Sequence, residues 1–143
     1  MQFYDLAHQS QTYDLVWFMG VLYHLRHPLL ALDSVARRAR RLVVLQTLTM
    51  PGDETVDAPA DVPISERERL LGRGWPAMAF VERQLAGDPT NWWAPNGACV
   101  EAMARSAGLE IFARPGHELY LCRPRGLPAH VADELEAAGG GSR

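Results

Sequence analysis

The segment Tyr13-Asp14-Leu15-Val16-Trp17-Phe18-Met19 is apolar at every position but Asp14 and polar-tipped Tyr13. A run that dense, rich in aromatic and branched side chains, predicts a strand buried on both faces, as in a parallel sheet covered by helices. Gly20 ends it. Pro28 opens a helix, where its missing N–H is no loss. Leu29, Leu32, Ala36 and Ala39 recur at helical spacing and predict the buried stripe. Asp33, Arg37, Arg38 and Arg41 lie away from that stripe, and Asp33 with Arg37 makes a favourable i,i+4 pair. A second apolar run, Leu42-Val43-Val44-Leu45-Gln46-Thr47-Leu48, predicts another buried strand. Strand, helix and strand in that order imply a right-handed parallel crossover.

From Pro51 to Pro63 the pattern gives way to Pro, Gly, Asp and Glu, the composition of a surface loop. Ser65 with Glu68 three residues on predicts a capping box and a short helical stretch. Trp75 to Pro95 has no clean period yet holds three tryptophans, which predicts order against another surface. Asn96 is a helix cap, Val100, Met103 and Ala107 form one face, and Gly108 stands where a helix stops. Leu109 to Ala113 and Glu118 to Cys122 predict a hairpin turning at Pro115-Gly116, and 131–138 a helical turn or two. Gly139 to Ser142 has the composition of a flexible end.

With 143 residues, 48% apolar and 22% charged, the chain has the balance of one globular domain, not of a disordered tail or a rod. The net charge of −3 argues against a general nucleic-acid binder. Arg37, Arg38, Arg40 and Arg41 read as a solvated helix face before a phosphate site. Cys99 and Cys122 form no C-x-x-C pair, so a disulfide framework and structural zinc are not expected. They read as small core residues in a reducing compartment. No run of 18 apolar residues and no basic leader occurs, so the expectation is a cytoplasmic chain with no membrane span.

Three stretches together resemble the C-terminal half of a class I S-adenosylmethionine-dependent methyltransferase. Tyr13-Asp14-Leu15-Val16 running into Met19-Gly20-Val21-Leu22-Tyr23-His24 and Pro28-Leu29 resembles its fourth strand and following loop. The Met19-to-His24 string is similar to that of the tRNA uridine carboxymethyltransferases and their uncharacterised relatives. Leu45-Gln46-Thr47-Leu48 resembles the fifth strand, and Asn96 to Cys122 the last helix and closing hairpin. The resemblance implies an α/β, three-layer, Rossmann-like fold with a mostly parallel sheet. It covers residues 1–124, with 51–95 as a loop or lid insertion and 125–143 as a flexible tail. The family's glycine-rich cofactor loop and the acid that holds the ribose are not found: Gly139 to Gly141 follows no strand and opens no helix. The expectation is therefore a partial fold without its N-terminal strands, either a truncated, inactive enzyme or a non-catalytic module paired with another chain. Its uncovered sheet would favour self-association.

The same resemblance implies the cofactor, S-adenosylmethionine or its carboxymethyl analogue, and an acceptor that is a small molecule or a tRNA. It places Asp5 beside the adenine amino group, a pure donor that a carboxylate suits; the alternative is a turn cap. Ligands of open α/β sheets bind beyond the carboxyl ends of the strands, which puts Met19 and Tyr23 against the cofactor, or else in the core and under a lid. His24 is the candidate base for the acceptor proton, against the plainer reading of a hydrogen-bonded loop histidine. His27 belongs to the surface, and no third ligand completes a metal site with the two. Trp92 and Trp93 form either a stacking substrate lid or a cover for the sheet edge.

Overall fold

A computed structural model describes residues 9–139. Asp5 lies outside the described residues. The element order is β1 (Tyr13–Met19), α1 (Pro28–Arg38), β2 (Ala39–Gln46), β3 (Met78–Phe80), β4 (Trp93–Pro95), α2 (Gly97–Ser106), β5 (Leu109–Gly116), β6 (Leu119–Pro124) and α3 (Ala129–Gly139). Single 3-10 segments fall at Leu22–His24 and Ile64–Leu71. The result is a mixed α/β fold.

One sheet runs β1-β2-β6-β5, and all four strands expected from the apolar pattern are in it. β1 and β2 are parallel; β6 is antiparallel to both β2 and β5. Among the described residues the sheet is therefore one parallel pair and a hairpin, not mostly parallel. The hairpin turns at His117-Glu118 instead of Pro115-Gly116, because β5 continues through both of those residues to Gly116. β2 starts three residues earlier than its apolar run, so Ala39, Arg40 and Arg41 are strand and only Arg37 and Arg38 belong to the helix. Arg40 there pairs with Asp14 of β1 at 3.1 Å.

Strand periodicity sorts the apolar residues onto two faces. Val16, Phe18, Val43, Leu45, Tyr120, Cys122 and Leu109 turn towards α1 and α2, whose Leu32, Val35, Val100, Met103 and Ala104 complete one core. Leu15, Trp17 and Met19 turn the other way and stay largely exposed, Trp17 at 66%. β1 is thus not buried on both faces as its sequence suggests: Phe18 is 4% exposed, and its neighbours on either side are in water. In α1 the stripe is Ala31, Leu32, Val35 and Ala36, while Leu29 is 48% exposed. Asp33, expected to pair with Arg37 in solvent, is buried instead, and Ser34 bonds back to the Leu30 carbonyl.

The predicted caps divide. Asn96 caps α2, its side chain accepting from Cys99 N at 2.8 Å. Ser65 makes no capping bond; Pro63 holds the cap position before the 3-10 segment Ile64–Leu71, which buries nothing. Gly108 ends α2 at φ +72°, where a Cβ would lie 2.0 Å from the Gly126 carbonyl oxygen. That close approach lets Arg125 N bond Gly108 O at 2.8 Å and ties the segment after β6 to the core. Cys99 and Cys122 are free and buried, and burial pushes the Cys122 thiol up to about 11.

Candidate functional site

The carboxyl ends of β1 and β2 lie side by side because the two strands are parallel. Gly20 follows β1 at φ +68° and donates its N–H to the Gln46 carbonyl at 3.1 Å. Its left-handed turn sends the chain across the strand end into the 3-10 segment Leu22–His24. Leu22 is the buried anchor of that segment. Tyr23 comes back over the turn: a Cβ on Gly20 would lie 3.8 Å from the Tyr23 hydroxyl and 3.9 Å from Gln46 Oε1. Met19 pairs with Gln46 in the ladder. Met19, Gly20, Tyr23 and Gln46 therefore form one cluster at the strand ends.

Glu118, at the hairpin turn, braces the far side. Its carboxylate accepts from Thr49 N at 2.7 Å, from the Thr49 hydroxyl at 3.1 Å and from Gln46 Nε2 at 3.4 Å. Neither Gln46 nor Glu118 stands out in the sequence, since no local pattern joins residues 72 positions apart.

On the near side, the His24 ring lies against Tyr23, with centroids 4.2 Å apart and planes tilted by 45°. Its Nδ1 meets the Thr90 hydroxyl at 3.0 Å and the Thr90 carbonyl at 3.2 Å. Trp92 N donates to the Tyr23 carbonyl at 2.9 Å, and the Arg26 guanidinium covers the Trp92 ring at 4.4 Å. The loop after β1 and the segment before α2 are thereby held together. His27 is exposed, as expected.

The two tryptophans part company, as neighbours on an extended chain must. Trp92 joins the loop beside Tyr23. Trp93 sits in β4, where β3 and β4 form a separate two-stranded sheet, and packs on Phe80 at 5.1 Å. Its indole nitrogen is buried without a hydrogen-bond partner. Tyr23, His24 and Trp92 are thus brought together, Met19 lies on the strand-end side of them, and Trp93 is placed elsewhere. Among the described residues no three His, Cys, Asp or Glu side chains gather as metal ligands, and no helix is long and apolar enough to cross a membrane.

A groove of about 610 Å³ runs along the outer edge of β5 beside α2. Its charged walls are already paired, Arg114 with Glu101 at 2.9 Å and Arg125 with Glu110. It lies apart from the strand-end cluster, and the cluster has the stronger chemical claim.

Two solved structures resemble the chain: the N-terminal domain of EvdMO1 with SAH bound, at 21% identity and a TM-score of 0.45, covering 88% of this chain and 50% of that one; and magnesium protoporphyrin IX methyltransferase (ChlM) from Synechocystis PCC 6803 with bound SAH, at 17% identity and a TM-score of 0.45, covering 83% and 47%. No family model matches. Among curated sequences the resemblance to the carboxymethyltransferases is borne out. The chain is 45% identical over 60 residues to the tRNA U34 carboxymethyltransferase of Hahella chejuensis, across 40% of this chain. It is 39% identical over 87 residues to the protein of that name from Pseudomonas aeruginosa, across 57% of this chain. It spans only 18% and 25% of those relatives' lengths.

Proposed function

We propose that the chain forms part of an S-adenosylmethionine-dependent methyltransferase, or of an enzyme that uses the carboxymethyl analogue. One observation carries the reading: Met19, Gly20, Tyr23 and Gln46 converge at the carboxyl ends of a parallel strand pair, where α/β sheets bind their ligands. The names of the carboxymethyltransferase relatives support it. The residues suit the adenine side of such a cofactor. Met19 offers a polarisable flank, Tyr23 a ring face and a hydroxyl.

When bound, a sulfonium cofactor would supply an electrophilic carbon and a neutral thioether leaving group. The chain's own residues position the partners and take the acceptor's proton. His24 is the residue proposed for that proton, acting through Nε2, since Nδ1 is engaged by Thr90. The acceptor is a small molecule or a tRNA. Asp5 remains proposed for the adenine amino group, and Trp92 for the acceptor lid. Trp93, against Phe80, has no part in it.

The cluster offers stacking and little charge-assisted bonding, each such bond being worth about 1.5–3 kcal/mol. With about 1.4 kcal/mol per tenfold, lacking several such bonds relative to a site of roughly micromolar affinity would put binding by this chain alone in the millimolar range. Saturation-transfer NMR with S-adenosylhomocysteine tests the reading. Transfer to the adenine protons is expected, and it should fall sharply in Tyr23→Ala. Absence of transfer at millimolar ligand, or transfer indifferent to Tyr23, contradicts it.

A second reading has its own observation. Leu15, Trp17 and Met19 present an exposed apolar face, the kind of surface that drives association. On this reading the chain is a methyltransferase-like module, truncated or not, that works against another chain or a second copy of itself. Ligand transfer seen only in a mixture with such a partner would favour it.

A further inference from the structure

Between β3 and β4 the chain makes a tight turn with an unusual backbone. Ala86 and Gly87 have φ of +53° and +77°, and Leu85 and Asp88 exchange both backbone hydrogen bonds, at 3.2 and 3.1 Å. A pair of positive φ angles is the signature of the I′ turn, and alanine adopts it only at a cost. Asn91 braces the turn, its Nδ2 donating to the Leu85 carbonyl at 2.9 Å. The device fixes one side chain in particular. Asp88 Oδ1 accepts from Thr90 N and from the Thr90 hydroxyl, both at 2.7 Å.

That second bond has a consequence for His24, 66 residues away. A hydroxyl has one proton to give. Thr90 gives it to Asp88, so its oxygen can only accept from His24 Nδ1 at 3.0 Å. The Thr90 carbonyl, 3.2 Å from the same nitrogen, can only accept as well. Two acceptors facing Nδ1 require the proton to be there. In the neutral ring Nε2 then carries the lone pair. The Asp88 carboxyl is held below its ordinary range, chiefly by the Thr90 hydrogen bonds, so it stays an acceptor at neutral pH.

We infer that Asp88, acting through Thr90, is a positioning residue that sets the tautomer of His24 and so leaves Nε2 as the proton acceptor. The inference rests on the role proposed for His24, and it explains how a loop histidine is prepared for that role. An unbraced imidazole divides between tautomers and rotates; one held by the Thr90 hydroxyl and carbonyl presents the same nitrogen each time. General-base catalysis typically contributes about 100- to 10,000-fold. Loss of the brace alone, with the base still present, is expected to cost about tenfold, the equivalent of one hydrogen bond of about 1.4 kcal/mol.

The test needs no substrate. Long-range ¹H–¹⁵N spectra of the full chain, at a pH where the ring is neutral, report which imidazole nitrogen bears the proton; His24→Gln assigns the signal. The expected wild-type result is the Nδ1–H form. In Asp88→Ala the Thr90 hydroxyl loses its acceptor, turns its proton to Nδ1, and His24 shifts towards the Nε2–H form. Asp88→Asn keeps an acceptor oxygen and restores the wild-type signature, which separates the relay from general loosening of the loop. A wild-type Nε2–H ring, or an Asp88→Ala variant with an unchanged tautomer, overturns the inference. S-adenosylhomocysteine binding, measured on the same samples, carries the proposed function, so the two can fail separately.

Discussion

The two faces of the β1-β2-β6-β5 sheet carry similar side chains and have opposite fates. Leu45 and Phe18 on one face are buried beneath α1 and α2, whereas Leu15 and Trp17 on the other are 47% and 66% exposed. Both sets come from the same apolar runs. The difference is the cover, and it assigns different roles. The helix-covered face holds the fold together, and the bare face is where the chain has apolar area left to spend on association.

That contrast can be broken at a core position first. Leu45→Ala should cost about 2–5 kcal/mol by urea unfolding, since a fully buried leucine loses both transfer energy and its close packing. A loss below 1 kcal/mol would mean the covered face is not the core. Next in size is the device that starts α2 and ties it to Trp75 and Ala77. Asn96 accepts from Cys99 N and Ala77 N and donates to the Trp75 carbonyl. Asn96→Ala should cost about 1–2 kcal/mol, with the greater part expected here because three bonds go at once.

Asp33 sharpens the comparison from the opposite direction, because its burial on α1 is a liability. Burial raises its carboxyl above the ordinary value of 3.8, and the Glu134 charge adds to this. A raised folded-state pKa means the ionised form is disfavoured by folding. The cost is absent below the unfolded value, sets in as pH rises above it, and is full once pH passes the folded value. Asp33→Asn should therefore raise Tm by a few degrees at neutral pH and leave it unchanged in strong acid. Equal gains at both would contradict the assignment. The smallest stability change belongs to the bare face. Trp17→Ser should move ΔG by less than about 0.5 kcal/mol while reducing self-association in sedimentation. Self-association undiminished by that change would mean the bare face is not the contact.

What was legible in the sequence follows the same division. Dense apolar runs mark β1 and β2, the first ended by Gly20, and Pro28 marks the start of α1 between them. Asn96 and Gly108 bracket α2 because each performs a backbone task that few residues can. The faces of β1 were not legible: a run apolar at nearly every position is silent on which alternate set meets the helices. The Pro115-Gly116 signal pointed to a turn two residues early, since both residues also fit an exposed strand end. β3 and β4, three residues each, are too short to show a period.

The candidate site was half visible. Met19, Tyr23 and His24 stand in one short string, so resemblance reached them. Gln46, Glu118, Asp88 and Thr90 join them only through the fold: Gln46 through the strand ladder, Glu118 and Thr90 by bonds across 72 and 66 residues, and Asp88 through Thr90. Trp92 and Trp93 read as a pair, yet strand alternation sends one to the loop and the other to β4.

The central claim is that ligand chemistry belongs to the strand ends beside Tyr23. Methyl-labelled methionine tests it most directly, because Met19 lies at that cluster and Met103, on α2, faces the core. Titration with S-adenosylhomocysteine at millimolar concentration should shift the Met19 methyl resonance saturably and leave that of Met103 in place. A Met19 signal that does not move, or a Met103 signal that moves with it, would contradict the account.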